Sequence, residues 1–291
     1  MKILGIIGSA RKFGNGEILV KEALFAAREK GATVRAIRLT DYRLLSCKGC
    51  LACVLKGDPC RLDDDMHTLW DQLQWADGII ISAPTYFLGP SGIIKMLMDR
   101  LFEFSLQLGQ IRRRPAALIV TAGLREWDPL TMPMLTMLAG ILQLDIIEKF
   151  TAYRPGPGEV LLDEPVISNA SRIGQRIVDS LISPISKEVS TDTQNRNVCI
   201  QCGTPFIQLL EANVVECPLC QAQGYLRPDK ENTTIEWGKT SGQNRWSPQA
   251  LAKHFAEWVI KTGPVFKKHQ ARIQELRQRY KTLEIENPPR T

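Results

Sequence analysis

The stretch KILGIIGSARKFGNGEILVKEALFAAREK, Lys2 to Lys30, decides the fold class. Lys2 to Ile7 is an apolar, β-branched run of the kind that lies buried on both faces of a parallel sheet. A glycine-rich turn, Gly8 to Gly16, follows directly, and Glu17 to Lys30 carries apolar residues at helical spacing. Strand, glycine turn and helix in that order open an α/β nucleotide-binding unit.

The same alternation continues outward from this stretch. Thr33 to Leu39, Gly78 to Ser82, Ala116 to Thr121 and Asp145 to Tyr153 read as four further strands. Helical patterns run from Asp63–Asp65 to about Trp75, through about Leu108, to about Leu142, and from Glu164 to Ile182. Asp63, Asp64 and Asp65 suit helix capping, because a carboxylate there satisfies free backbone N–H groups. Five apolar strands alternating with helices predict a parallel sheet covered on both faces, spanning residues 1–185. Residues 186–197 are polar and read as a linker, 198–228 as a small cysteine module, and 229–291 as an extension. In that extension, Lys230 to Pro248 reads as extended chain, and Gln249 to Thr262 and Val265 to Leu283 as helices.

Composition narrows the function classes. The chain has 291 residues, 44% apolar and 23% charged, as in an ordinary globular protein with a large core. A net charge of +6 suits an anionic cofactor, but Lys and Arg are too dispersed to mark a nucleic-acid surface. No apolar run approaches the ~20 residues of a membrane span. The short apolar start leads straight into the glycine turn, unlike a signal peptide, so a cytoplasmic location is expected. His67, His254 and His269 are too scattered for a triad or metal site, and no catalytic nucleophile motif is present.

Two loops are built for an anionic, planar ligand. In the first, Ser9 offers a hydroxyl, Arg11 and Lys12 offer charge, and Gly14 and Gly16 let backbone N–H groups approach an anion at a helix start. Neither G-x-G-x-x-G nor G-x-x-x-x-G-K-[ST] occurs there, so the dinucleotide and NTPase fingerprints are absent. The second loop, Ala83 to Pro90, sets Pro84, Thr85, Tyr86, Phe87 and Leu88 at a strand end, where a flat ring would fit.

The eight cysteines form two groups of four. In a reducing compartment such groups point to metal rather than disulfides. Cys47, Cys50, Cys53 and Cys60 are spaced C-x2-C-x2-C-x6-C, a triple run plus a separate fourth thiol, which suits the corners of a [4Fe–4S] cube. A zinc site or free thiols are the competing readings. Cys199, Cys202, Cys217 and Cys220 form two C-x2-C knuckles with 14 residues between them, the spacing of a tetrahedral Zn or single-Fe site.

Taken together, GSARKFGNG (Gly8–Gly16), SAPTYFLGPSGIIKMLMDR (Ser82–Arg100) and TAG (Thr121–Gly123) resemble the flavodoxin-like NAD(P)H-dependent FMN reductases. The Cys47–Met66 segment resembles their iron–sulfur flavoprotein branch, and the second tetrad resembles a zinc ribbon or rubredoxin centre. The resemblance implies an α/β, flavodoxin-like five-stranded parallel sheet of order 2-1-3-4-5, with a four-cysteine metal ribbon and C-terminal helices added. It implies FMN phosphate held by Ser9, Arg11, Asn15 and Gly16, the ring on Pro84, Thr85, Tyr86, Phe87 and Leu88, and Thr121, Ala122 and Gly123 at its other edge. It further implies an oxidoreductase taking electrons from reduced ferredoxin or NAD(P)H to a small-molecule acceptor such as O2, peroxide or a quinone, in a homodimer or homotetramer. Gly16 departs from the Ser or Thr that often follows this Asn, and the loop LREWDPLT (Leu124–Thr131) lacks the family's glycine pair, leaving Arg125 and Trp127 to shape the substrate or coenzyme face. An FMN or quinone reductase with structural zinc alone is one alternative. Another is a redox-sensing regulator that binds nucleic acid or protein, although Phe206 and Tyr225 are the ribbon's only evident stacking aromatics.

Overall fold

A computed structural model describes residues 1–108, 110–125, 127–183, 198–228, 233–238 and 245–278. In chain order, β1 (Lys2–Ile7), α1 (Asn15–Glu29), β2 (Thr33–Arg38), α2 (Ala52–Leu55), α3 (Met66–Trp75), β3 (Gly78–Tyr86), β4 (Gly89–Pro90), α4 (Gly92–Arg100), α5 (Ser105–Leu108), β5 (Arg114–Ala122), α6 (Thr131–Ile141), β6 (Leu144–Tyr153) and α7 (Glu164–Ile182) build the first unit. The long strands are parallel and ordered β2-β1-β3-β5-β6, the expected order once the two-residue β4 is set aside.

Alternating residues of the central strands sort the core into two layers. Ile3 and Ile7 pack with Leu19, Val20 and Ala23 of α1 and Ile173 and Ile177 of α7. Leu4 and Ile6 pack with Leu69 and Leu73 of α3, Ile94 and Leu97 of α4, and Leu135 and Leu138 of α6. Each fully buried Leu or Ile contributes roughly 1.5–3 kcal/mol. Such an inside-out sheet needs no polar face, which is why its strands read as continuous apolar runs.

Three differences from the sequence reading stand out. β3 extends to Tyr86, so Pro84, Thr85 and Tyr86 lie on the strand and not in a loop. The segment 101–104 is a 3-10 turn, so the helix expected through Leu108 is broken into α4 and α5. Chain 248–277 is helical through Pro264: α8 (Pro248–His254), a π-helical turn (Phe255–Val259) and α9 (Ile260–Arg277) replace two separated helices. The linker 186–197 and the end of the last helix, to Leu283, lie outside the described residues.

The ribbon is a four-stranded antiparallel sheet of β7 (Gln208–Leu209), β8 (Val214–Glu216), β9 (Gln223–Pro228) and β10 (Thr233–Trp237). It reaches past residue 228 because β9 offers a free edge that β10 fills. The ribbon is seated on the first unit at β6, where the Lys149 ammonium donates to the Cys202 carbonyl. Trp246 covers α6: a Cβ on Gly140 would stand 2.7 Å from Trp246 Cγ, so this seat requires a glycine.

Candidate active site and thiol centres

A cleft of about 470 Å3, part of it open to solvent, lies at the C-terminal edge of the sheet. Ser9, Arg11, Gly14, Asn15, Gly16, Pro84, Thr85, Tyr86, Thr121, Ala122, Gly123, Arg154 and Pro155 line it. Ten of the twelve residues expected to hold a cofactor are thus in one wall. Its size and position suit a small-molecule ligand at the mouth of an α/β sheet.

The β1–α1 turn supplies the anion end. At the start of α1, the N–H groups of Asn15, Gly16 and Glu17 fall outside the helical ladder and carry the positive end of its dipole. The Asn15 side chain is already engaged: Nδ2 donates to the Arg154 carbonyl at 3.0 Å and the Gly156 carbonyl at 2.9 Å, and Oδ1 accepts from Val160 N–H. This residue therefore offers its backbone to a ligand, and its amide ties the turn to the chain after β6. Glu17 closes the turn from below, accepting from Phe13 N–H at 2.7 Å and pairing with Lys21 and Arg38. Burial pushes its carboxyl up, but the bonds from Lys21, Phe13 and Arg38 outweigh burial and leave it below the ordinary carboxylate range.

Gly16 has a steric reason. A Cβ there would stand 2.3 Å from Ser82 Oγ, whereas the next neighbours, Ser82 Cβ and Thr121 Cγ2, lie at 3.7 and 3.9 Å. The hydroxyl absent from position 16 is thus matched by one on the adjacent β3 strand, and the two positions form a pair.

Phe87 and Leu88 do not line the cleft. They are the two-residue turn between β3 and β4, with φ of +46° and +71°. This is the left-handed turn that suits a hairpin's twist, normally filled by Asn and Gly. Holding Phe and Leu there costs roughly 1–2 kcal/mol per residue. The turn presents Phe87 fully to solvent beside Tyr86, and Leu130 N–H bonds the Leu88 carbonyl at 3.0 Å, bringing the loop after β5 to the same rim. Leu124 and Trp127 are exposed on that loop. Arg125 lies over the Tyr153 ring at 4.5 Å, and Tyr153 donates to Asp128 at 3.2 Å. Burial, followed by the Asp128 charge, pushes the Tyr153 phenol up. Arg154 and Pro155, just past the strand expected to end at Tyr153, carry no motif that singles them out in the sequence. The only hint was that they follow the C-terminal end of a core strand, where ligands collect.

The two tetrads differ in geometry. Cys199, Cys202, Cys217 and Cys220 are buried with all four sulfurs within 4.8 Å of one another. Sγ–Sγ distances of 3.5 Å link Cys199 to Cys220 and Cys202 to Cys217. Each knuckle is closed by its own backbone: Gly203 N–H bonds the Cys199 carbonyl at 2.7 Å, and Gln221 N–H bonds the Cys217 carbonyl at 2.8 Å. Gly203 and Gln221 both have positive φ, +64° and +67°. Four thiols this close and dry fit one tetrahedral thiophilic ion, zinc or iron.

Cys47 and Cys50 are exposed, and Cys53 and Cys60 half-buried, on the loop after β2. Among the described residues, these four sulfurs are not gathered as those of the ribbon tetrad are. The four are nonetheless neighbours. Burial pushes the Cys53 thiol up, and the charges of Cys60, Cys50 and Cys47 add to this.

Of the three aspartates before α3, Asp64 supplies the expected capping acceptor, taking the N–H of Met66 at the helix start at 3.2 Å. Asp65, at the N-cap position, instead accepts from Arg43 N–H, and Asp64 also accepts from Leu45 N–H and pairs with Arg100. A buried cation inside α4 draws Asp64 inward. Among the three histidines, His67 pairs with Glu103 at 2.7 Å while remaining exposed.

Residues 1–149 match the model of a family described as NADPH-dependent FMN reductase. An iron–sulfur flavoprotein of Archaeoglobus fulgidus is 34% identical over 193 residues, covering 62% of this chain and 94% of the relative. The flavone synthase cfoJ of Aspergillus candidus is 26% identical over 252 residues, 77% of each protein. A solved structure described as a flavone reductase superposes over 100% of both chains with a TM-score of 0.77 at 20% identity, a likeness of fold. No described helix is long and apolar enough to cross a membrane. A sheet-edge cleft of this build, matched along half the chain by the family model and along nearly the whole of an iron–sulfur flavoprotein, places the chain in the NADPH-dependent FMN reductase family, in its iron–sulfur flavoprotein branch, as an FMN-dependent oxidoreductase.

Proposed function

We propose that the cleft holds FMN, with Ser9, Arg11 and the backbone of Asn15 and Gly16 at its phosphate, the ring against Pro84, Thr85 and Tyr86, and Thr121–Gly123 at the far edge. The carrying observation is that these residues, from three separate loops, line one cavity with a helix start and an arginine at one end. Cys47, Cys50, Cys53 and Cys60 hold a [4Fe–4S] cluster on this reading, and the ribbon tetrad holds one zinc or iron ion. When bound, FMN supplies hydride or single-electron chemistry and the cluster supplies single electrons, so the pair joins two-electron substrates to one-electron carriers.

Electrons arrive from NAD(P)H or reduced ferredoxin and leave to a small flat acceptor. The rim favours a planar conjugated acceptor, a quinone or a flavone-like enone: Tyr86 and the strained Phe87 turn stand on one side, Leu124 and Trp127 on the loop opposite. The relative that shares 77% of this chain is named a flavone synthase, and that span exceeds the sheet domain. Eight free cysteines suit a reducing, cytoplasmic setting.

One anaerobic preparation, with flavin, iron and zinc quantified together, tests the assignment. The expected result is one FMN, about four irons lost in Cys50→Ser, and loss of FMN affinity in Arg11→Ala. A full iron complement in Cys50→Ser would sink the cluster, and unchanged FMN affinity in Arg11→Ala would sink the phosphate site. Steady-state reduction of a quinone and of a flavone, each with NADPH and with reduced ferredoxin, identifies donor and acceptor. A Phe87→Ala/Trp127→Ala variant should raise KM for the flat acceptor while leaving FMN binding intact.

A further inference from the structure

Arg100 is an anomaly for a helix that otherwise packs Ile94 and Leu97 into the core. Its side chain and that of Asp64 are 2% and 1% exposed. The guanidinium meets Asp64, donates to Glu103 at 2.9 Å and donates to the Leu45 carbonyl at 3.1 Å. Asp64 in turn accepts from Leu45 N–H at 2.8 Å. Glu103 accepts from Cys60 N–H at 3.3 Å, and the Cys53 thiol faces the neighbouring Phe102 carbonyl at 3.7 Å. So a single buried cation with two carboxylates holds Leu45, two residues before Cys47, and Cys60, the last thiol of the loop.

From this geometry we infer that Arg100, Asp64 and Glu103 are positioning residues: a clamp that pins both ends of the Cys47–Cys60 loop and presets where its thiols stand before any iron is loaded. Burying three charges is unfavourable unless every one is paired, and here each is. A purely packing role would be met more cheaply by apolar residues at 64, 100 and 103. Through Glu103, which also meets exposed His67 at 2.7 Å, the clamp sets a carboxylate against the backbone of Cys60. It therefore disfavours adding an electron to whatever the loop holds. Nothing else in α4 explains an arginine at its buried end.

The inference rests on the loop being the cluster site only in its potential arm, and the experiment separates the two. In the iron-depleted full-length chain, alkylation of each thiol is followed by mass spectrometry. Cys60 in Glu103→Ala should react about tenfold faster than in the parent, the equivalent of about 1.4 kcal/mol, while exposed Cys47 keeps its rate. Glu103→Gln, which retains an oxygen for Cys60 N–H, should recover most of the protection. The ratio of Cys60 to Cys47 within one molecule guards against mere unfolding, which raises both. In the iron-loaded protein, Glu103→Gln should move the midpoint potential in the positive direction, with Glu29→Gln, at an exposed position at the end of α1, as an unmoved control. Equal acceleration of Cys60 and Cys47, or no recovery in Glu103→Gln, overturns the clamp. Iron absent from the parent defeats the cluster reading and leaves the alkylation arm to decide the clamp alone.

Discussion

Replacing Gly16 by serine restores the residue type usual at this position, and the structure says that it should harm the protein. The new Cβ would stand 2.3 Å from Ser82 Oγ, far inside contact distance. Ser82 is 1% exposed on the central strand β3, so its hydroxyl has little room to swing aside. Overpacking of this kind costs about 1–3 kcal/mol. Removing the hydroxyl as well, in Gly16→Ser/Ser82→Ala, leaves Ser82 Cβ at 3.7 Å as the nearest atom, an ordinary contact. Ser82→Ala alone loses at most one hydrogen-bonding group, about 1 kcal/mol. A double-mutant cycle by urea denaturation should therefore give a favourable coupling of about 1–2 kcal/mol. FMN affinity, read by quenching of flavin fluorescence, should fall in the single Gly16→Ser variant and return in the double. A single variant within about 0.5 kcal/mol of the parent, or a double variant no better than the single, would refute the reasoning and show that the serine simply rotates away.

Gly174 on α7 is a second close approach: a Cβ there would meet the Ala23 carbonyl oxygen of α1 at 1.9 Å, so Gly174→Ala must separate two helices and should cost about 3 kcal/mol in urea denaturation. Gln221 occupies a left-handed position with φ +67°, and Gln221→Gly should stabilise the second knuckle by about 1 kcal/mol, seen as slower metal loss to a chelator. The Glu17 carboxyl ionises below its unfolded value, so its stabilisation is complete above the ordinary carboxylate range, near pH ~4.3, and is lost as pH falls through the folded value. Glu17→Gln should flatten that acid limb in a pH series of melting curves.

Much of this was legible because strand and helix signals are local. The run Lys2–Ile7, the glycine turn and the helix after it needed no tertiary information, and the sheet order followed from the resemblance to flavodoxin-like reductases. The ribbon tetrad announced itself by spacing. What stayed hidden depended on partners distant in sequence. Asp64 reads as a cap, which it is for Met66 N–H, but nothing local shows that it also pairs with Arg100. The amide of Asn15 looks like a ligand group until Arg154 and Gly156 take its hydrogens. The Phe87–Leu88 turn was misjudged for a different reason: neither residue favours positive φ, so no local rule predicts a hairpin turn there.

The two thiol centres are tied to the cleft by different elements, and this bears on what each is for. α4 starts at Ser91, whose hydroxyl bonds the Gly8 carbonyl beside the β1–α1 turn, and ends at Arg100 under the cysteine loop. Its nine residues span ~14 Å, a rigid spacer between the cleft and the loop. The exposed loop therefore meets solvent at one side and the cleft's supporting helix at the other. The ribbon tetrad hangs from β6 through Lys149, which grips the Cys202 carbonyl rather than any sulfur. Its ion would sit sealed among buried cysteines, Trp237 and Trp246. A sealed ion that shapes the knuckle also shapes the carbonyl that Lys149 grips, so metal there fixes the seat of the ribbon on the sheet edge. A tetrahedral zinc or iron ion would serve that structural part equally.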